Sequence, residues 1–346
     1  MSNRGGYLFV GCYTGESGGE GEGITLLRRD PGSGLLTRLG VAARTPSPSF
    51  LTQHPTRPVL YAVNELDAGT VSAFSVGPDG SLETLAVQQT GGRHPCHVAV
   101  TPGGGHLLVA NYSSGSVSVH PLDADGAPGE RSDLLQLDGS GPDRERQDHA
   151  HAHMVLPAES GPDVLIADLG SDRVWRSRLD PGSGRLTGPV PAFEPEPGTG
   201  PRHLLRGADG TLFLTGELSG ALVWYRPGGP SGGSVAASTT GGQNLAAEVC
   251  AGRDGRFVYV SNRGPDTVST FAWDGDKATL VGEVPAGGSW PRQMVLIFDH
   301  LYVANERSHT VTTFRLDPDT GLPFAQGDPV PESSPTCILG WNPGHS

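Results

Sequence analysis

The sequence predicts an all-β protein built from seven repeats of a few short strands. Glycine and proline make up about 24% of the 346 residues, against a usual ~12%, so turns must be frequent. Segments rich in valine, threonine and aromatic residues alternate between apolar and polar positions, as half-buried strands do. No segment shows a sustained helical period of apolar residues.

One pattern recurs seven times: an apolar strand runs to a polar break, the pivot, and an alternating strand follows. The pivots are Cys12, Asn64, Asn111, Asp168, Gly216, Asn262 and Asn305. They are separated by 52, 47, 57, 48, 46 and 43 residues. Four-stranded propeller blades take ~40–50 residues each, so every repeat has the length of one blade.

Each element of the repeat has its own signal. The strand after the pivot alternates, as in TVSAFSV (70–76) and TVSTFAW (267–273). Turns such as DPGSGRLT (180–187) then lead to an outer strand, because Asp, Pro and Gly supply the backbone angles of tight turns. A further strand precedes the pivot strand, as in HPCHVAV (94–100) and GPRHLLR (200–206). The repeat therefore contains four strands.

The two ends of the chain are incomplete repeats that complement each other. Residues 8–14 form a pivot strand without a preceding segment, whereas SPTCIL (334–339) has no pivot strand after it. We expect the C-terminal strand to complete the N-terminal blade, which closes the ring and leaves no large sheet edge exposed. The predicted fold is a seven-bladed β-propeller of four-stranded antiparallel blades, a single domain over residues 1–346.

The charge and composition of the chain limit the classes of molecule that it is expected to bind. The formal net charge is −13, with Lys277 the single lysine, and such a surface repels nucleic acid and anionic membranes. No apolar run approaches the ~18 residues that span a bilayer, and the first residues lack a signal-peptide pattern, so we expect a cytoplasmic protein. Four widely spaced cysteines without CxxC argue against a zinc ribbon or a disulfide scaffold. A small-molecule substrate is expected, with a monomer or weak homo-oligomer.

Polar residues gather at equivalent positions of successive repeats, which meet around one axis in a propeller. The residues directly after the pivots include the charged Glu65, Glu217, Arg263 and Glu306. The strands before the pivots carry His94, His97, His151, His153, Arg202, His203, Glu248 and Arg292. These are either solvated loop ends or the lining of a ligand-binding mouth. An anionic ligand would need such a cluster of arginines.

The stretch DRERQDHAHAH (143–153) lies in the longest spacing and predicts an enlarged loop. Its histidines could bind a metal, hydrogen-bond to loop carbonyls, or act as acid and base. On one extended strand His149 and His153 would stand ~13 Å apart, too far to share an ion. Histidine titrates near neutrality, which favours catalysis, chiefly at His153, without a metal or an organic cofactor.

Several catalytic motifs are missing from the sequence. It contains no GxSxG elbow, no GxxxxGK[ST] phosphate loop and no dinucleotide fingerprint after a strand. Repeated GH…WD pairs are missing too. Serine-based covalent hydrolysis and nucleotide chemistry are therefore disfavoured.

The motifs HAHMVLP (151–157), GPRHL (200–204), TGELSG (215–220) and SNRG (261–264) resemble those of the propeller lactonases. This is the seven-bladed 6-phosphogluconolactonase type, a family that also includes carboxymuconate lactonizing enzymes. The resemblance extends over essentially the whole chain. It departs from the family pattern where Asp148, His149 and Ala150 precede HAHMV, which leaves open whether His149, His151 or His153 reacts.

The resemblance implies an active site of His153, Arg202, Glu217 and Arg263. His153 would remove a proton from water, the arginines would stabilise an oxyanion or hold a phosphate, and Glu217 would orient the histidine or protonate the departing ring oxygen. The predicted substrate-binding residues are His97, His151, His203, Glu65, Glu248, Arg292 and Glu306.

The function implied is hydrolysis of a small anionic lactone. The expected reaction is conversion of 6-phospho-D-glucono-1,5-lactone to 6-phosphogluconate in the pentose phosphate pathway, by metal-free acid–base catalysis. Two alternatives stay open: a carboxymuconate-type lactonizing reaction, in which the arginines would grip carboxylates, and a propeller that only binds protein partners.

Overall fold

The computed structural model describes residues 6–227 and 232–341, in which seven antiparallel sheets are arranged as blades. The strands of blades one to four are β1 (Tyr7–Cys12), β2 (Ile24–Arg29), β3 (Leu36–Ala43), β4 (Leu51–Gln53), β5 (Val59–Asn64), β6 (Thr70–Val76), β7 (Leu82–Gln89), β8 (Pro95–Val100), β9 (His106–Asn111), β10 (Ser116–Pro121), β11 (Asp133–Gln136), β12 (Ala152–Pro157), β13 (Asp163–Asp168), β14 (Arg173–Asp180) and β15 (Arg185–Phe193). A short 3₁₀ helix (Gly15–Ser17) follows β1.

The remaining strands build blades five to seven and return to the first blade. They are β16 (Pro201–Arg206), β17 (Leu212–Gly216), β18 (Ala221–Tyr225), β19 (Gly233–Ala236), β20 (Leu245–Ala251), β21 (Phe257–Arg263), β22 (Thr267–Trp273), β23 (Ala278–Pro285), β24 (Pro291–Ile297), β25 (His300–Asn305), β26 (Thr310–Leu316), β27 (Pro323–Ala325), β28 (Val330–Pro331) and β29 (Pro335–Trp341). No helix in the described ranges has the length and apolar character needed to cross a bilayer.

The ring closes between the two ends of the chain, as the sequence predicts. β29 pairs antiparallel with β1, with Tyr7 opposite Trp341 and Phe9 opposite Leu339. The first blade therefore has the order β29-β1-β2-β3, and β29 is its innermost strand. The innermost strands of neighbouring blades contact one another all the way around the axis. The seven-bladed propeller is confirmed.

The apolar core lies between the blades. Seven clusters of buried apolar side chains are present in the described chain, and each joins two neighbouring blades. The second strands, such as β5 and β25, are buried along their whole length because blades cover both of their faces. The outer strand β7 instead contains only exposed and half-buried residues. This explains the near-continuous apolar runs before the pivots.

Antiparallel pairing brings the start of each innermost strand beside the end of the second strand. In several blades the innermost strand has a bulge here. The register shifts lie between Pro95 and His97, Ala152 and Met154, Pro201 and Leu204, Ala246 and Val249, and Pro291 and Gln293. A bulge redirects the side chains it contains. The candidate site residues of five innermost strands fall inside or beside these bulges.

Candidate active site

Glu217 is the centre of a buried charge cluster near the propeller axis. It follows β17, and its carboxylate accepts hydrogen bonds from Arg263 Nη2 at 2.7 Å and Arg146 Nη2 at 2.6 Å. Arg202 Nε lies 3.1 Å from the same carboxylate. Burial acts to raise the pKa of Glu217, but Arg263 and Arg202 outweigh it and hold the pKa well below its usual range. The carboxylate is therefore ionised at neutral pH.

Each of the three arginines also has a second hydrogen-bond partner besides Glu217. Arg202 Nη1 donates to the carbonyl of Ala247 at 2.9 Å, and Arg263 Nε donates to the carbonyl of Leu245 at 3.1 Å. Arg146 Nη2 also lies 3.3 Å from the Tyr112 hydroxyl. A guanidinium has five N–H donors, so donors remain for a ligand.

The Glu217 cluster carries excess positive charge. Three guanidinium groups face one carboxylate. Burial, together with the charge of Arg263, lowers the pKa of Arg202 to about 10, which still leaves it protonated at neutral pH. A buried site with this balance attracts an anion or a developing oxyanion.

Three buried histidines form a second cluster, in which the His203 ring lies between the other two. Its centroid is 5.3 Å from that of His153 and 5.8 Å from that of His97. Burial and the Arg202 charge lower the pKa of His153 well below its usual range. Burial and the neighbouring His203 do the same for His97. Within the described structure His153 Nδ1 is buried without a hydrogen-bond partner. A neutral imidazole of this kind is able to accept a proton.

His203 has a carboxylate partner. Its Nδ1 lies 2.9 Å from Glu248 Oε1, and both side chains are almost fully buried. Burial lowers the pKa of His203, and Glu248 partly opposes this effect. A carboxylate that orients an imidazole is the arrangement by which proteins position a general base.

A second group of charges surrounds Arg292. Its Nη1 lies 3.3 Å from Glu306 Oε2, and its Nη2 donates to the Tyr13 hydroxyl at 2.5 Å. The Tyr13 hydroxyl in turn donates to Glu65 Oε2 at 2.9 Å. Two carboxylates therefore face one guanidinium, and this group carries excess negative charge.

The residues that the sequence proposed as one mouth make three groups of direct contacts, and Arg292 is close enough to act on the pKa of Arg202 and of His153. Arg202, Glu217 and Arg263 are in direct contact, and His153 lies close enough for the Arg202 charge to lower its pKa. The predicted binding residues separate into the histidine cluster (His97, His203 and Glu248), the Arg292 group (Glu65, Arg292 and Glu306) and His151, which stacks on Tyr112.

Arg146 and Cys96 also belong to this region. The sequence does not distinguish Arg144 from Arg146, and the structure shows that Arg146 reaches Glu217 while Arg144 is exposed. The sequence feature that indicates the loop carrying Arg146 is the long spacing between the pivots Asn111 and Asp168. Cys96 Sγ lies 3.3 Å from the carbonyl of His153, and burial raises the pKa of its thiol, which keeps it protonated.

These features define a class: a β-propeller enzyme with a central site of arginine, histidine and carboxylate side chains. The model of the family "Lactonase, 7-bladed beta-propeller" matches residues 7–340, and the chain belongs to this family. By this membership the protein is an enzyme of the lactonase class.

Individual relatives agree with the family assignment. The chain is 31% identical to the 6-phosphogluconolactonase of Bacillus subtilis (strain 168), over 95% of this chain and 97% of that protein. A solved structure from Bacteroides fragilis NCTC 9343 is 31% identical, with a TM-score of 0.91 over 99% of each chain. The periplasmic gluconolactonase of Pseudomonas aeruginosa is 30% identical, with a TM-score of 0.88 over 97% of this chain and 99% of that one.

Proposed function

We propose that this lactonase hydrolyses 6-phospho-D-glucono-1,5-lactone to 6-phosphogluconate. The observation that carries the proposal is the excess of buried guanidinium charge around Glu217, close to neutral buried histidines. The substrate is anionic, and its hydrolysis passes through an oxyanion. The name of the Bacillus subtilis relative supports the choice of this lactone.

In the proposed mechanism His153 takes a proton from water while the water oxygen attacks the lactone carbonyl carbon. Arg202 and Arg263 stabilise the negative charge that develops on the carbonyl oxygen. The bond from the carbonyl carbon to the ring oxygen then breaks. The ring oxygen takes the proton from the His153 imidazolium and leaves as a hydroxyl, which completes the addition of one water.

Glu217 has a positioning role in this mechanism. The sequence left open whether it orients the histidine or protonates the ring oxygen. An ionised carboxylate that accepts hydrogen bonds from Arg146 and Arg263 has no proton to give. We assign Glu217 to holding the arginines in place, so the proton for the leaving group comes from a histidine.

The test is hydrolysis of freshly generated 6-phosphogluconolactone, followed as acid release above the spontaneous background. Wild type is compared with Arg263→Ala and with Arg226→Ala, a guanidinium paired with the exposed Asp276. We expect acceleration by wild type and Arg226→Ala, and a loss of about 100-fold or more in Arg263→Ala. A wild-type rate equal to the background would overturn the proposal.

Two further lactones separate the substrate classes. An equal kcat/KM for unphosphorylated gluconolactone would show that the phosphate is not recognised. Turnover of carboxymuconate lactones alone would select the lactonizing alternative, in which the arginines hold carboxylates. Inactivity towards all three lactones would favour the protein-binding platform.

We also propose that the enzyme acts in the cytoplasm, as a monomer or weak homo-oligomer, on a free small molecule and without nucleic acid or membrane. The net charge of −13 supports the absence of polyanionic partners. Cell fractionation tests the compartment, and sedimentation of the purified protein tests its oligomeric state.

A further inference from the structure

The loop between β11 and β12 carries a cluster of ligating side chains that the proposed mechanism does not use. His149 Nδ1 lies 2.9 Å from Asp148 Oδ2, and His151 Nε2 lies 3.2 Å from Asp148 Oδ1. One ligand atom from each of the three residues lies within 4.8 Å of the others. The two imidazole centroids are 4.3 Å apart.

Two backbone carbonyls determine how these imidazoles are oriented. His149 Nε2 lies 3.1 Å from the Ser113 carbonyl, and His151 Nδ1 lies 3.1 Å from the Tyr112 carbonyl. A carbonyl only accepts hydrogen bonds, so each of these nitrogens carries a hydrogen. In a neutral ring the other nitrogen then presents a lone pair, and both lone pairs face Asp148. Metal-binding histidines are commonly oriented by a hydrogen bond of this kind to a carbonyl.

Two nitrogen lone pairs that face a carboxylate repel its negative charge, so a positive charge between the nitrogens and the carboxylate would stabilise this arrangement. One divalent cation satisfies all three atoms at once. Two imidazoles and a carboxylate form a ligand set that suits Zn²⁺ and related metals.

We propose that Asp148, His149 and His151 form a binding site for a divalent transition metal of the Zn²⁺ type. Ligand atoms of a tetrahedral zinc, bound at about 2.0–2.2 Å, lie roughly 3.3 Å apart. The distances of 2.9 and 3.2 Å run to the two different oxygens of the Asp148 carboxylate and are close to this value, and one ligand atom from each residue lies within 4.8 Å of the others. The fourth position is left to water.

The site differs from the one that sequence spacing disfavoured. That argument placed His149 and His153 on one extended strand. The strand β12 begins only at Ala152, so the chain before it turns, and His149 meets His151 instead. His153 lies in the histidine cluster and takes no part.

A bound metal would stiffen the loop that carries Arg146. The Tyr112 ring stacks on His151, with centroids 4.6 Å apart. The Tyr112 hydroxyl lies 3.3 Å from Arg146 Nη2, and Arg146 contacts Glu217. The metal therefore has a positioning role, and its binding does not depend on the proposed function.

The test uses tag-free protein from which metal has been removed with a chelator. Co²⁺ binding is followed by visible absorption and Zn²⁺ binding by calorimetry, without substrate. We expect one ion per chain, with affinity at least about tenfold weaker in Asp148→Asn and in His149→Gln. These two side chains are 57% and 48% exposed, so both variants should fold.

His309→Gln is the matched control. His309 is also exposed and its Nε2 lies 3.8 Å from Glu20 Oε2, but this pair contains only one histidine. We expect its metal affinity to equal that of wild type. The proposal is overturned if wild type binds no stoichiometric ion, if Asp148→Asn and His149→Gln bind as wild type does, or if His309→Gln loses affinity equally. An inactive lactonase that still binds one ion would separate this proposal from the proposed function.

Discussion

At the scale of single residues, the charges of the active site depend on Glu217. Its carboxylate is the shared partner of Arg146, Arg202 and Arg263, and all but Arg146 are almost fully buried. Without this carboxylate the remaining guanidinium groups would repel one another and lose their orientation. A buried charge that loses its partner is strongly destabilising.

We therefore expect Glu217→Gln to lower kcat by about 100-fold and the free energy of unfolding by about 3 kcal/mol. The amide keeps the size of the side chain but removes the charge that holds the arginines. Steady-state kinetics and thermal unfolding measure the two effects. Glu306→Gln, which removes a partially exposed partner of Arg292, should cost less in stability. Unchanged kcat in Glu217→Gln would contradict the positioning role.

The pH dependence of the rate follows from His153. A base must be unprotonated, and burial together with Arg202 lowers its pKa. An ordinary histidine would lose activity below a pH of about 6.5. We expect kcat/KM, corrected for spontaneous hydrolysis, to stay constant through that pH and to fall only in more acidic solution. An acid limb centred at 6.5 or above would show that another group is the base.

At the scale of secondary-structure elements, the loop before β12 is held against the turn after β13. A Cβ added at Gly170 would collide with the carbonyl oxygen of His149. The backbone of that loop would have to move, and Arg146 would be displaced from Glu217 with it.

We expect Gly170→Ala to lower kcat/KM about tenfold while most of the thermal stability is kept, because the displaced segment is a surface loop. Kinetics and thermal unfolding of the purified variant measure both quantities. Gly103→Ala is the control, since an added Cβ there meets nothing within 4 Å. Wild-type kcat/KM in Gly170→Ala would mean that the loop position does not matter.

The repeats made the blades predictable, and the same repeats placed Arg202, Glu217 and Arg263 near one axis. Strand periodicity is a local signal that each copy reinforces. Arg146 was not assigned, because it lies in a loop that only one repeat contains. The bulges were also missed, since an extra residue in one strand is set by its pairing with the next strand rather than by its own sequence. These bulges contain His153 and Arg202.

At the scale of the whole molecule, burial of histidine at the axis makes stability depend on pH. His97, His153 and His203 have pKa values lowered mainly by burial. In the unfolded chain they protonate near pH 6.5. Below that pH the unfolded state binds more protons than the folded state, so the free energy of unfolding falls as the pH falls.

We expect denaturant unfolding to show this loss between pH 6.5 and 5, above the range in which carboxylates titrate. Each histidine contributes up to about 1.4 kcal/mol per pH unit. His97→Gln removes one titrating group and should make the dependence shallower. An unchanged slope in this variant would show that His97 does not contribute.

The pairing of β29 with β1 has a consequence for how the protein is made. The first blade cannot be finished by the residues that start it, because its innermost strand follows the other six blades in the sequence. Until β29 has been translated, one edge of β1 remains unpaired. The other six blades then form an open arc rather than a closed ring. Completion of the native fold therefore requires that β29 has been synthesised, and a chain truncated before β29 would keep that edge exposed to aggregation.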